Sequence, residues 1–492
     1  MTPLVQIAML GWFFVAVPAM FLFLPSRTAA FCGLVFGWLV LPWSAKYGFG
    51  PVDITRESAV TYSVMLCIVV FDTSAILRLR PSWIDLPVTI WVVSPFFTSI
   101  SNDLGVYDGM SAIRSQLEIW GLPYLIGRMY VTSVEAMKHL AMILVAGAVL
   151  YVPLIMWEIR FSPQLHKRVY GYITYDHGGT ALRRLGGYRP LVFLRHGLML
   201  GVFMAVASLL AGWLWYNKSV EKFPLLPPGM RGKQAVPREG GVGYRMIAAL
   251  GPAVPFWMIA GGLVGVFVLC RALNGLILFV MAAGALFVLR FFKSRTPLVL
   301  FAAIPFVFAG VRMSEPVTGV HFDEPIVNTV AKISEVRAGS VEFRFQNERL
   351  LAERALERPF LGWGGWGRNR VYDEDGNDLT VTDGFWIITL GQHGSIGLFM
   401  MFLTLLLPVF LFVLRFNARQ LCSPELAAGT GLAAAICMYA MDCLPNAMLN
   451  PMYVMAAGGL AGFVAVSKRK AKPKSGSRYS VKNQNQLLAQ SA

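Results

Sequence analysis

Asp383 and Arg344 have the residue types and settings from which a reaction could be built. Asp383 opens the run Asp383-Gly384-Phe385-Trp386, which enters a long apolar stretch. A carboxylate there is pulled two ways, because a helix dipole favours its charge while apolar surroundings raise its pKa. That suits a base that takes a proton from a hydroxyl; a plain helix cap is the other reading. Arg344 lies in a charged segment, 340–357, that reads as a helix capped by Ser340 and stopped by Pro359. Within it, Arg344–Glu348 and Arg349–Glu353 have the i,i+4 spacing of helical ion pairs. The turn that follows contains Gly362, Trp363, Gly364 and Trp366. Its glycines let backbone approach a ligand, and its tryptophans can stack on a sugar face or sit at lipid headgroup level.

A second group precedes another apolar run: Arg184, Arg189, Arg195 and His196. Guanidinium forks bind phosphate oxygens bidentately, so these residues suit a phosphate or diphosphate headgroup. Generic contact with anionic lipid would use the same residues. The acidic run Asp373-Glu374-Asp375 could hold a metal, but it reads better as a solvated turn of a hairpin over 371–381, turning at Asp375-Gly376. All six cysteines lie in or beside apolar runs, which argues for packing rather than a disulfide framework or zinc. No metal and no cofactor is expected.

The elements that must hold these residues are membrane spans. The chain of 492 residues is 56% hydrophobic and 14% charged, well short of the roughly 25% charge of soluble domains. Apolar runs of about 18–22 residues recur throughout, the length that crosses a bilayer as a helix. The fold class expected is an all-α integral membrane protein of about 12–13 transmembrane helices, with a large extracytoplasmic loop carrying an amphipathic helix. Candidate spans lie near 4–24, 29–43, 59–77, 86–101, 117–133, 139–157, 191–216, 249–270, 272–289, 297–311, 384–414, 426–443 and 451–467. The first run lacks a basic leader and reads as a retained span.

The net charge of +16 follows this geometry rather than a nucleic-acid partner. Alternate loops carry Arg27, Arg78, Arg128, Arg290, Lys293, Arg295, Arg415 and Arg419, which places them in the cytoplasm together with a basic, disordered tail at 468–492. The membrane domain then covers 1–467, with a smaller loop at 158–190 and a larger one at 312–383 on the other side.

Order and topology together resemble the O-antigen ligase and polymerase superfamily of bacterial envelope enzymes. That family has about a dozen spans and a large periplasmic loop. The loop shows an arginine on a helix and then a Pro-x-x-Gly-x-Gly turn, matched here by Arg344, Pro359, Gly362 and Gly364. A histidine then enters the next span, with glycines eleven and fourteen residues on. Here Asp383 takes the histidine's place, and Gly394 and Gly397 keep the distances. An earlier Arg-x-x-Gly motif is matched by Arg184 and Gly187.

The resemblance implies a bacterial inner-membrane, inverting, metal-independent glycosyltransferase. Its donor is a glycan on a polyprenyl diphosphate, and its acceptor is a lipid or glycan hydroxyl. In this scheme Asp383 is the base, with His393 a nearby substitute. Arg344, Arg184 and Arg189 meet the diphosphate, with Arg195 and His196 beside them. Two other classes stay open: a polysaccharide or lipid flippase, and a non-catalytic member of an envelope-assembly complex.

Overall fold

The computed structural model describes residues 2–49, 52–173, 182–184, 186–223, 254–320, 322–332 and 335–470. The basic tail from 471 onward and part of the smaller loop, at 174–181 and 185, lie outside the described residues.

Helix dominates because runs of Leu, Val, Phe, Ala and Met leave backbone groups no partners but their own. The described strands form three two-stranded antiparallel pairs, at Lys46–Phe49 with Val52–Thr55, Arg183–Arg184 with Gly187–Tyr188, and Lys222–Phe223 with Val254–Pro255. Among the described residues, seven helices are long and apolar enough to cross a membrane: Pro3–Phe23, Trp83–Ser101, Val134–Phe161, Gly197–Tyr216, Leu273–Phe291, Thr296–Thr318 and Phe385–Arg415. Ser26–Val40, Phe256–Leu269 and Pro451–Val466 are apolar but shorter. The span expected at 59–77 is interrupted: one helix ends at Phe71, and Asp72 caps a second, Thr73–Arg78.

The centre of the bundle is built from small residues. Ala427–Asp442 reads AAGTGLAAAICMYAMD and is buried along nearly its whole length, as is Gly197–Tyr216. Small side chains let helices approach closely where no solvent drives them together. Gly458, for example, lies against the carbonyl of Tyr124.

The large loop differs from its expected outline. Helix Thr296–Thr318 runs past 312, and a further helix, Glu324–Ala331, follows it. The charged helix spans Glu335–Leu356, so Ser340 sits within it and caps nothing. Val336, Arg337 and Ala338 extend the helix upstream of the serine. Along it, Asn347, Glu348, Leu351, Ala352 and Ala355 form a buried stripe at helical spacing.

Candidate functional site

Arg344, Asn347 and Glu348 share one face of the Glu335–Leu356 helix, and that face meets the entry to Phe385–Arg415. Arg344 Nε lies 3.0 Å from Asp383 Oδ2. Val381 N donates to Asn347 Oδ1 at 2.8 Å. Trp386 Nε1 donates to Glu348 Oε1 at 3.3 Å. Three side chains on one helix thus grip residues 381–386. The pair expected to cooperate across 39 positions stands in direct contact, with side chains 49% and 41% exposed.

Neither helical ion pair read from i,i+4 spacing forms. Glu348 turns to Arg312, 3.4 Å away, and Arg349 bonds Asp323 at 2.9 Å. Arg312 also pairs with Glu315 at 2.5 Å and donates to the Phe345 carbonyl at 3.1 Å. Tertiary partners prevail because Arg312 is buried and needs compensation, whereas exposed helical pairs contribute only about 0.3–0.5 kcal/mol. Burial raises the Glu348 carboxyl to about 7, against the opposing pull of Arg312. In the sequence, nothing beyond its spacing from Arg344 singles out Glu348.

Asp383 is not a helix cap: the helix begins at Phe385, with Gly384 at the cap position. This frees the carboxylate for Arg344. The Phe385 and Trp386 N–H groups instead donate to the carbonyls of Asn446 and Cys443.

The 359–367 turn serves a purpose other than the one expected. Gly394 has φ 64° and ψ −171°, so Phe385–Arg415 is broken there. The turn fills the break. Trp363 N and Gly364 N donate to the carbonyls of Gly391 and Gln392 at 2.8 and 3.0 Å. Ser395 N and Ile396 N donate back to Pro359 and Phe360 at 2.7 and 3.3 Å. A side chain on Gly362 would strike the Gln392–Gly394 backbone, and one on Gly394 the Phe360 carbonyl group. The glycines therefore admit a neighbouring helix, not a ligand. The other side of the turn is held by Thr98, Asn102 and Arg358, which bond Leu361 O, Gly362 O and Ser101 O respectively.

Trp363 lies between Arg354 and Arg358, 3.6 and 4.6 Å from its ring centroid, and donates to Arg354 O. That leaves it little freedom to stack on a sugar. Trp366 is different. It is 83% exposed, has φ 65°, and is tethered through Nε1 to Asp108. His393 packs edge-on against Trp91 one residue before the break. Asp373 spends its carboxylate on Asp375 N, Asn377 N and Asn377 Nδ2, and one bridge pairs Tyr372 with Asp378. The 371–381 segment therefore does double back as a short hairpin. Leu379 N donates to Val371 O at 2.9 Å and Asp373 N to Asn377 O at 3.0 Å across it, and Gly376 N to Asp373 O at 3.1 Å closes the turn.

The second group of predicted residues stands on other elements. Arg184 is exposed, and its carbonyl accepts from Arg271 at 2.9 Å. Arg195 is exposed too, with its guanidinium 5.9 Å from the Trp43 ring centroid. Arg189 is 7% exposed and packs on Gly197, so it does not line an open mouth. His196 caps Gly197–Tyr216, its Nδ1 accepting from Leu198 N at 3.0 Å. Arg56, buried between Trp38 and Trp43, donates to Trp38 O at the end of Ser26–Val40. A cation at a helix C-terminus has a structural explanation.

A cavity of about 380 Å³ runs along Thr296–Thr318. Leu300, Ile304, Val307, Phe308 and Val311 make it apolar, and Arg312, Asp323 and Phe345 close one end. Phe345 is the chain neighbour of Arg344, so this end of the cavity adjoins the helix that carries the ion pair.

No protein-family model matches this chain, and no curated protein matches it. The resemblance to the O-antigen enzymes rests on motif order and span pattern.

Proposed function

We propose that this protein is a membrane glycosyltransferase of the O-antigen ligase or polymerase type, moving a glycan from a polyprenyl diphosphate to a hydroxyl. The observation that carries the reading is the Arg344–Asp383 ion pair beside the entry to an apolar helix. A half-exposed pair of this kind contributes about 1 kcal/mol or less, so a ligand can trade against it cheaply. The donor diphosphate draws Arg344 onto its oxygens, which releases the Asp383 carboxylate. Asp383 then accepts the acceptor hydroxyl's proton as that oxygen bonds the anomeric carbon. The bond from this carbon to the diphosphate oxygen breaks, and the electron pair leaves with the polyprenyl diphosphate. Arg344 offsets the charge that develops on that leaving group. Attack opposite the leaving group inverts the anomeric centre.

The apolar cavity along Thr296–Thr318 supports the same reading, since its lining suits a hydrocarbon chain. Trp366, exposed and tethered, suits a sugar ring. In this scheme the large loop faces outward and the arginine-rich ends of Leu273–Phe291 and Phe385–Arg415 face the cytoplasm.

The break at Gly394 favours a carrier, because ion-coupled transporters use broken helices to coordinate ions. Here the Gly391 and Gln392 carbonyls already accept from the 359–364 turn, so that observation loses its force.

The test is purified protein in vesicles containing a radiolabelled lipid-linked glycan and an acceptor. Transfer with release of polyprenyl diphosphate is expected; translocation without release would establish the carrier instead.

A further inference from the structure

We infer that Asp442 is a positioning residue that joins the Arg184–Arg271 group and the Arg344–Asp383 pair into one site, an inference that rests on the transferase reading. Asp442 ends the Ala427–Asp442 helix and is 2% exposed. Its Oδ1 accepts from Asn274 Nδ2 at 2.6 Å and from Asn446 Nδ2 at 2.8 Å. No Lys or Arg pairs with it among the described residues. Buried carboxylates without a cation are costly, and within membrane proteins they mark functional ground.

Each amide leads to one of the two groups. Asn274 lies in the first turn of Leu273–Phe291, three residues after Arg271. Arg271 donates to Arg184 O, and its guanidinium rests on Gly187. On the other side, Asn446 O accepts from Phe385 N, and Cys443 O accepts from Trp386 N. Leu444 O lies against Gly384, leaving no room for a side chain there. Asp383 directly precedes this clamped entry. One carboxylate oxygen therefore sets the position of Arg271 through one amide and of Asp383 through the other. The diphosphate in the proposed reaction would span these two groups, so the spacing between them decides whether both engage it.

Two measurements test the inference. Spin labels at Arg183→Cys and Glu342→Cys report the distance between the two groups; both positions are exposed, whereas all six native cysteines are buried. A narrow distribution is expected in the otherwise unaltered chain and a broadened or shifted one with Asp442→Ala. Asp442→Asn, which keeps an acceptor for both amides, restores it. Asn446→Ala cuts one link while leaving the carboxylate, and it too broadens the distribution if Asp442→Ala yields no folded protein.

In the transfer assay, Asp442→Ala lowers kcat by about tenfold or more with donor KM little changed, and Asp442→Asn recovers most of it. An unchanged distance distribution in Asp442→Ala and Asn446→Ala, or no recovery with Asp442→Asn, overturns the inference. If unaltered protein transfers no glycan, the transferase reading falls, and the spin-label distances still decide whether Asp442 holds the two groups together.

Discussion

Asp383 touches Arg344 through one carboxylate oxygen, and in the proposed reaction that contact is a resting state. Replacing Asp383 by Asn keeps its size and removes its basicity. The expected result is a loss of transfer of about 10²–10⁴-fold, with normal insertion and yield. Equal rates for Asp383→Asn and unaltered protein would remove the base assignment. Glu348 gives a separate prediction. Its carboxyl is raised to about 7 in the folded protein, above the range of an exposed glutamate. The folded state thus favours the protonated form, so this group's contribution is present at low pH and lost as pH climbs through about 7. Melting of unaltered protein should weaken between about pH 5 and pH 8, and Glu348→Gln should flatten that dependence. An identical pH profile for both would contradict it. The 344–383 pairing was legible from residue types and motif order. The part played by Glu348 was not, because its charge partner and its tryptophan donor come from helices far away in the chain.

At the scale of elements, the apolar helices were legible because bilayer thickness imposes length on composition, and seven of the thirteen expected spans are helices long and apolar enough to cross among the described residues. The ends of the helices were not legible. Ser340 looked like a cap, yet the helix runs back through Gly339 and Val336 to Glu335, so local propensity did not set its start. Gly362 and Gly364 looked like ligand-facing glycines. Gly362 instead faces the backbone of a helix broken at Gly394, and Gly364 packs against Thr98 and Leu104. The glycines at 391, 394 and 397 mark a weak stretch of helix, but not that a distant turn fills it. The break gives a sharp contrast. Gly394→Ala requires φ 64° of a residue with a Cβ and drives it into Phe360, so it should cost more than about 2 kcal/mol. Gly365→Ala meets open space and has no positive φ, so it should change little. Thermal unfolding of the two variants in detergent checks both; equal stability would show that the break is not needed.

Across the whole molecule, charge is unevenly placed. Arg295 bonds the carbonyls of Leu414 and Phe416, tying the start of Thr296–Thr318 to the end of Phe385–Arg415, at the opposite pole from Asp383. With the arginine-rich pole in the cytoplasm, a membrane-impermeant thiol reagent applied to intact cells should label Asp375→Cys and spare Arg419→Cys. The reverse pattern would place the candidate site on the wrong face for an outer-leaflet donor.

The four hydrogen bonds that seal the break at Gly394 make residues 359–364 as much a part of the membrane unit as the helix they complete. A fragment excised as a stand-alone soluble piece would lose the rungs that shape it, and the parent would be left with bare carbonyls at Gly391 and Gln392. Antibodies raised against such a fragment, or chimeras that exchange it between proteins, would therefore meet a surface the intact molecule never displays. Any graft of this segment must carry its stretch of helix along with it.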